Sequence, residues 1–254
     1  MRFFFWSLAA VILVPLAVSI ARGMAYEGSW RDAPRHSAGL APDPGKTPEA
    51  IVQIYTARAF SWRGYVATHP WIIVKRSGAD SFTRYEVVGW GGGQSLKTNY
   101  TIPDGYWFGA EPSLMAEYRG AGIDGLIDRI EAAIESYPFK DQYRSWPGPN
   151  SNTFLAHVAR EVPELRLDIP ANAIGKDYRS WDTPIAWAPS GTGVQASLLG
   201  IAGVTLGLEE GVEVNLLGLN FGIDILRPAL RVPGLGRIGM QEDVARQAEA
   251  VTTN

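Results

Sequence analysis

Short, mainly apolar runs in the first half of the chain, separated by polar and turn-forming residues, predict a series of short β-strands. The β-rich runs cover residues 50–58, 64–68, 69–76 and 83–89, and the turn-forming residues 77–81 separate the last two. Runs of strand length that are bounded by Gly, Ser and Asp clusters are typical of antiparallel strands joined by short turns. We therefore expect consecutive antiparallel strands, the last two of which form a hairpin.

Two later segments have the spacing of amphipathic helices. Apolar residues fall at positions 123, 126, 127, 130, 133 and 134, and charged residues occupy the opposite face. Residues 151–162 predict a second helix, which Pro163 ends because proline cannot donate the next helical hydrogen bond. The inward face of this second helix would consist of Phe154, Leu155, Val158 and Val162.

The C-terminal part has long, glycine-containing, alternating apolar segments at 194–208 and 212–226, with a turn at 209–211 between them. The two segments are expected to pair as one hairpin. The hairpin belongs either to the core or to a surface that rests on a membrane. Core placement is favoured, because antiparallel sheets ordinarily bury one face.

These patterns predict an α+β fold, in which an antiparallel β-sheet and a few packed helices form one globular domain over residues 48–240. Residues 26–47 are rich in Pro, Gly, Ser and charge, which is typical of a flexible tether. Residues 241–254 form a polar tail.

The amino terminus adds an apolar helix to this interpretation. Phe3 to Ile20 are 18 consecutive uncharged residues between Arg2 and Arg22. That length lies between the core of a signal peptide and a transmembrane helix. Residues 1–25 are therefore expected to be a membrane anchor or a cleaved signal peptide, with a buried core helix as a third alternative. Either of the first two places the domain in the periplasm, at or near the bacterial inner membrane.

Composition excludes several classes of site. The chain is 46% hydrophobic and 19% charged, as expected for a globular protein, and its net charge of −3 gives no support for nucleic-acid binding. Cysteine does not occur, which rules out disulfides, thiolate metal sites and a cysteine nucleophile. His69 has no neighbouring ligand at metal-binding spacing, and no cofactor motif is recognised, so neither a metal nor a cofactor is expected.

Ser151 is the leading candidate nucleophile, because it lies where a Pro/Gly-rich loop gives way to the second helix. A serine hydroxyl needs a base to take its proton. His69 can serve, because it begins a strand that would face the helix N-terminus, whose dipole stabilises a developing oxyanion. Of the other two histidines, His36 lies in the tether and His157 follows Ser151 by more than one helical turn.

Ser151, His69 and a third candidate, Glu86, could each have a structural role instead of a catalytic one. Ser151 or Asn150 could instead be the N-cap of the helix, and His69 could be a half-buried structural histidine beside Trp71. Glu86, on the returning strand of the hairpin, could orient the other ring nitrogen of His69. A shift of one residue in register would turn Glu86 to the opposite face, where it would be a solvent-facing carboxylate.

Four strings carry a family resemblance: His69–Ile72, Tyr85–Trp90, Tyr106–Gly109 and, most specifically, Pro147–Phe154. They resemble an uncharacterised bacterial envelope family, a domain of unknown function, over nearly all of residues 50–240. More remotely, a strand histidine followed by a polar helix start resembles the circularly permuted papain-like enzymes, of the NlpC type or the lecithin:retinol acyltransferase group. That resemblance implies a permuted papain-like fold with His69 as the base and Ser151 in place of the usual cysteine.

The resulting hypothesis is a hydrolase or an acyl or peptidyl transferase that acts on an amide or ester bond of an envelope peptide, lipid or glycan. The alternative is a non-catalytic envelope binding or scaffold protein with an inactive papain-like fold. Seven tryptophans of the domain either line a groove or form an aromatic core. They are Trp62, Trp71, Trp90, Trp107, Trp146, Trp181 and Trp187.

Overall fold

The computed structural model describes residues 2–241, and within them it has three α-helices and two antiparallel β-sheets. The helices are α1 (Arg2–Ala21), α2 (Ile123–Glu135) and α3 (Ser151–Glu161). The first sheet comprises β1 (Ile51–Arg58), β2 (Thr68–Lys75), β3 (Thr83–Val87), β4 (Leu96–Thr98) and β5 (Ser113–Arg119). The second comprises β6 (Ile185–Trp187), β7 (Gly193–Leu198), β8 (Ala202–Gly207), β9 (Gly211–Leu216), β10 (Leu219–Asp224), β11 (Ala229–Val232) and β12 (Gly236–Gly239). The predicted α+β class is confirmed.

The first sheet is buried on both faces. Its strands are ordered β4-β3-β2-β1-β5, and the predicted hairpin of β2 and β3 is present. On one face, apolar residues of β1 and β2 form a single core with α2 and α3. On the other face, the same strands contribute Tyr55, Trp71 and Ile73 to an aromatic cluster with Trp107. Burial on both sides explains why β1 and β2 are nearly continuous apolar runs.

Both predicted domain helices are confirmed, and one predicted strand is wrong. α2 buries Ile123, Leu126, Ile127, Ile130, Ala133 and Ile134, and α3 buries Phe154, Leu155 and Val158. Residues 64–68 were expected to form a strand, but Ser61–Tyr65 is a 3-10 turn and β2 begins at Thr68. Gly64 allows this turn, because a Cβ there would lie 2.4 Å from the carbonyl oxygen of Ala59.

The second sheet is a meander in which each strand pairs with the next along the chain. The predicted pairing across the turn at 209–211 is present between β8 and β9, but the hairpin is shorter than expected, because each expected arm folds back as a hairpin of its own, β7–β8 and β9–β10. The turns contain Leu199-Gly200 and Leu217-Gly218, and all four residues have positive φ. Turns of this kind match the twist of the flanking strands and reverse the chain tightly.

The second sheet is apolar on its exposed face and polar on its buried face. The register places Val194, Leu206, Val212, Ile223, Leu230 and Ile238 in one cross-strand row, and each is at least 41% exposed. The buried row contains Gln195, Thr205, Glu213 and Arg231. The predicted core placement of the apolar face is therefore wrong, because polar partners beneath the sheet select the opposite face for burial.

Those polar partners come from the segment that follows α3. Asp177 accepts hydrogen bonds from the side-chain amides of Gln195, Asn215 and Asn220 at 2.7, 2.8 and 2.6 Å. Lys176 forms a buried ion pair with Glu213, and Asp168 forms one with Arg231. Buried charges are tolerated when they are paired and hydrogen-bonded in this way. A polar layer thus attaches the second sheet to the rest of the protein.

Helix α1 and part of the predicted tether are held against the rest of the protein by hydrogen bonds. The side chain of Ser19, near the end of α1, donates to the carbonyl oxygen of Tyr65 at 2.7 Å. The predicted transmembrane helix is not found, since no helix within residues 2–241 is both long and apolar enough to cross a membrane. Part of the predicted tether is held in place by Asp104, whose carboxylate accepts from Ser37 and from the backbone of Leu40. Most of the predicted polar tail, residues 242–254, lies outside the described residues.

Candidate functional site

Asn150, rather than Ser151, caps helix α3. Its side-chain oxygen accepts from the backbone N–H groups of Asn152 and Thr153, and the Thr153 hydroxyl accepts from the backbone N–H of Asn150. This reciprocal capping box satisfies the first turn of the helix. Of the two caps considered from the sequence, Ser151 is therefore the wrong one. Its hydroxyl stands at the first helical position with no capping role.

Asn152, the residue after Ser151, fixes the start of helix α3 against strand β2. The side-chain amide of Asn152 donates to the carbonyl oxygens of Thr68 at 3.0 Å and Ile174 at 2.8 Å. Thr68 directly precedes His69, so Asn152 links the residue after the candidate nucleophile to the residue before the candidate base. These contacts are buried, with Asn152 only 3% exposed.

His69 and Glu86 are in direct contact, which was one of the two alternatives for Glu86. His69 Nε2 lies 3.0 Å from Glu86 Oε2, and Glu86 is completely buried. Arg84 forms a two-point hydrogen bond with the same carboxylate, at 2.7 Å from Nε and 3.1 Å from Nη2. The solvent-facing alternative for Glu86 is wrong, because β3 turns this residue inward beside Arg84.

The carboxylate decides the protonation of the imidazole. Burial acts to raise the pKa of Glu86, but the hydrogen bond to His69 and the charge of Arg84 outweigh burial and hold the pKa below its ordinary value. An ionised carboxylate only accepts hydrogen bonds, so His69 Nε2 must carry the proton and Nδ1 keeps its lone pair. Burial lowers the pKa of His69 itself, which keeps the ring neutral near pH 7. The imidazole is thus in the form that a general base requires.

Trp107 fixes the plane of the imidazole. The two rings are stacked at 3.6 Å between centroids with an interplanar angle of 4°. Glu86 holds the ring edge and Trp107 covers one ring face. The orientation of His69 is therefore set by contacts on two sides.

Ser151 and His69 line the same small cavity, of about 80 Å³, at the junction of β2 and α3. Within residues 2–241, no hydrogen bond joins the two side chains, and the Ser151 hydroxyl has no other hydrogen-bond partner. Asn150 accepts from the N–H groups of Asn152, Thr153 and Phe154, so within the described chain the Ser151 N–H is the donor of the first helical turn that has no acceptor. The cavity thus brings together a hydroxyl, a neutral imidazole and a free backbone donor.

A larger aromatic groove adjoins this cavity. It has a volume of about 700 Å³, and seven of its ten lining residues are aromatic. The groove and the small cavity share Phe60, Arg63, Trp90 and Trp107. Of the seven tryptophans considered from the sequence, Trp71 and Trp107 are buried, whereas Trp90 is 43% exposed in the groove wall. Both predicted roles therefore occur: Trp71 belongs to the core, Trp90 lines the groove, and Trp107 does both.

The candidate site lies within the part of the chain that matches a known protein family. The family described as "Protein of unknown function (DUF3750)" matches residues 49–178. The chain belongs to this family. The matched region contains His69, Glu86 and Ser151 but ends before the second sheet, so the resemblance expected over 50–240 extends too far. No curated protein and no solved structure matches the chain, and the papain-like resemblance is not shown.

Three residues of the DUF3750 region support the site but were not predicted from the sequence. Arg84 could have been found, because it lies two residues before Glu86 on the same face of β3. Trp107 follows a loop, and no local pattern places it on the His69 ring. Asn152 reads as a helix-start residue, and only the tertiary fold brings Thr68 within reach of its amide.

Proposed function

We propose that this protein is a serine-nucleophile hydrolase or acyltransferase that acts on an amide or ester bond. The observation that carries the proposal is the shared cavity of Ser151 and His69, in which Glu86 leaves the second ring nitrogen of His69 as the proton acceptor. Nucleophile, base and orienting carboxylate have the roles of a hydrolase triad, which is recognised by geometry rather than by sequence order.

In the proposed reaction, His69 Nδ1 takes the proton of the Ser151 hydroxyl as Oγ bonds to the substrate carbonyl carbon. The carbonyl oxygen becomes an oxyanion, which the Ser151 N–H and the N-terminal end of α3 stabilise. His69 then gives the proton to the leaving amine or alcohol as its bond to carbon breaks. Water, or an acceptor hydroxyl or amine, next attacks the acyl-Ser151 ester with His69 again as base. This second step releases the product and restores Ser151.

Two further features support this choice. The order of a strand histidine followed by a nucleophile at a helix start resembles that of the permuted papain-like enzymes, which carry a cysteine where this chain has Ser151. The Glu86–Arg84 pair is also deeply buried, with Arg84 only 1% exposed, so it holds the orienting carboxylate in a fixed position. An envelope peptide, lipid or glycan as substrate rests on the predicted periplasmic location and is part of the same proposal.

The proposal is tested by labelling the full chain with a fluorophosphonate probe, which modifies activated serines. We expect the wild type to be labelled and Ser151→Ala to be unlabelled. Ser145→Ala is the matched control, because Ser145 lines the same cavity but its hydroxyl is not at the helix start; this variant should label like the wild type. Equal labelling of wild type and Ser151→Ala would overturn Ser151 as the nucleophile.

The non-catalytic binding protein is the second candidate. It is favoured by the small volume of the shared cavity, about 80 Å³, and by the lack of a Ser151–His69 hydrogen bond in the described chain. A wild type that binds ligand in the aromatic groove, but neither labels nor turns over a p-nitrophenyl ester, would establish this alternative.

A further inference from the structure

The lining and the charge of the aromatic groove indicate what kind of molecule it binds. We propose that it binds the acyl chain of an amphiphile whose anionic group lies at Arg63, beside the Ser151 cavity. This proposal rests on the proposed function only for the statement that the bound molecule is the substrate. Binding itself needs no reaction at Ser151.

The lining of the groove favours an acyl chain over a sugar. Its volume of about 700 Å³ lies within the roughly 300–1,000 Å³ typical of small-molecule sites. Most of the lining is aromatic, and one of its few hydroxyl groups, that of Tyr100, already accepts from Trp90 Nε1 at 2.9 Å. A sugar needs many hydrogen-bonding partners to replace its water shell, and this wall has few to offer.

The charge of the groove favours an anion. Arg35 and Arg63 contribute to the lining, and no acidic residue does so. Within residues 2–241, neither arginine forms a salt bridge with a carboxylate. Arg35 is built into the wall, since its guanidinium lies 4.3 Å from the ring centroid of Phe108 and donates to the Trp30 carbonyl oxygen. Arg63 is exposed, and its guanidinium lies 5.8 Å from the ring centroid of Trp62. Its side chain makes no hydrogen bond within residues 2–241, so its N–H groups are available to a ligand.

The position of Arg63 connects the groove to the reaction centre. Arg63 lines both the groove and the cavity of Ser151 and His69. An anion bound there would fix one end of the ligand close to the nucleophile, while the chain would extend over Phe60, Trp90 and Trp107. This arrangement fits an acyl compound with its anionic group near the scissile ester or amide.

The test measures binding to the full-length Ser151→Ala variant by intrinsic tryptophan fluorescence. The probes are decanoate, decyl phosphate, 1-decanol and a chitin tetrasaccharide. We expect both anions to bind at least about tenfold more tightly than decanol, and the saccharide not to bind. Arg63→Gln should abolish the preference for anions and Trp90→Ala should weaken all three decyl probes, whereas Arg166→Gln, at an exposed site outside the groove lining, should change neither.

Equal binding of decanoate and decanol, unchanged by Arg63→Gln, would overturn the role of the anion. Saccharide binding without decanoate binding would overturn the acyl chain. A difference between decanoate and decyl phosphate would distinguish a fatty-acid carboxylate from a lipid phosphate as the source of the anion. Because Ser151→Ala cannot form an acyl-enzyme, failure here is separate from failure of the hydrolase proposal.

A second inference comes from the exposed apolar face of the second sheet. We propose that this face packs against the same face of a second copy of the chain. The outward cross-strand rows of β7 to β12 contain only uncharged side chains, among them Val204, Val214 and Phe221. The largest apolar patch on a typical monomer measures about 300–600 Å², and a face free of charge across six strands lies at the upper end of that range.

The size of the face fits a dimer. Strand spacing and rise give a face of roughly 600 Å², so two packed faces would bury about 1,200 Å², near the lower limit for a stable specific interface. A second copy is favoured over an anionic lipid surface, because the chain has a net charge of −3 and its exposed face offers no lysine or arginine. Sheets that pack face to face in this way form a sandwich with an apolar interior.

Analytical ultracentrifugation of the full chain tests the dimer. We expect twice the chain mass of 27.7 kDa for the wild type and a single chain mass for the double variant Val204→Glu/Val214→Glu. Trp62→Glu is the control, because Trp62 is 66% exposed but lies outside the sheet, and it should remain dimeric. A monomeric wild type, or a double variant that stays dimeric, would overturn the proposal. Wild-type monomers that co-sediment with phosphatidylglycerol vesicles would identify a lipid surface instead.

Discussion

Asn152 donates a hydrogen bond to the carbonyl oxygen of Thr68 at 3.0 Å, and this contact fixes the distance between helix α3 and strand β2. Ser151 precedes the donor and His69 follows the acceptor. A small displacement between nucleophile and base costs a large factor in rate. The proposed activity therefore depends on a residue that takes no part in the reaction.

Replacing Asn152 by leucine should lower kcat by about 10- to 100-fold, because the helix start is no longer tied to β2. We expect a loss of unfolding free energy of roughly 1–3 kcal/mol from the two lost hydrogen bonds. Steady-state kinetics and urea unfolding measure the two effects. Thr153→Val removes two bonds of the same turn, to the Gly175 carbonyl oxygen at 2.7 Å and from the Asn150 N–H at 3.1 Å, without touching β2. A loss of kcat as large in Thr153→Val would mean that Asn152 has no specific positioning role.

Glu86→Gln should reduce the rate of Ser151 labelling by roughly 10²- to 10⁴-fold, because His69 loses the anion that orients its ring and fixes its tautomer. The variant should also lose about 3–5 kcal/mol of stability, since Arg84 becomes an unpaired buried charge. The double variant Arg84→Met/Glu86→Gln removes both charges and should regain much of the stability but not the labelling. Recovery of labelling in the double variant would show that Glu86 acts only on folding.

The buried His69 predicts the pH dependence of both activity and stability. Its pKa in the folded state is lowered below the ordinary value of 6.5, mainly by burial. The labelling rate should therefore stay constant down to pH 6.5 and fall only as the pH drops through the lowered pKa. The contribution of the neutral ring to stability is fully present above pH 6.5, the ordinary pKa of the unfolded chain. It is lost as the pH falls from 6.5 through the lowered pKa of the folded state. NMR titration of the His69 ring checks this, with His157→Gln to remove the signal of the half-buried His157; a midpoint above 6.5 would contradict the prediction.

The hydrogen bonds of Asp177 should contribute strongly to the attachment of the second sheet. Replacing it by alanine leaves the amides of Asn215 and Asn220 without their carboxylate acceptor and should cost roughly 3–5 kcal/mol. Asp177→Asn keeps the shape and one acceptor oxygen and should cost less. Urea unfolding of both variants gives the comparison, and a loss below about 1 kcal/mol in Asp177→Ala would show that the polar layer contributes little to folding.

Local pattern was sufficient for most elements of the family region. β1, β2, β3, α2 and α3 were all predicted, because their apolar spacing reports burial directly. The strand expected at 64–68 failed because a 3-10 turn around Gly64 depends on a close contact with Ala59, which the sequence does not show.

The sequence by itself determined the α+β class, a serine at a helix start and a histidine at a strand start. Only the tertiary structure decided that Glu86 faces His69 and Arg84, because a one-residue shift in register would have turned it outward. The same reason explains the second sheet. Polar and apolar residues alternate along its strands, so the sequence shows that one face is polar and the other apolar. Partners distant in sequence, above all Asp177 and Lys176, decide which of the two faces is buried.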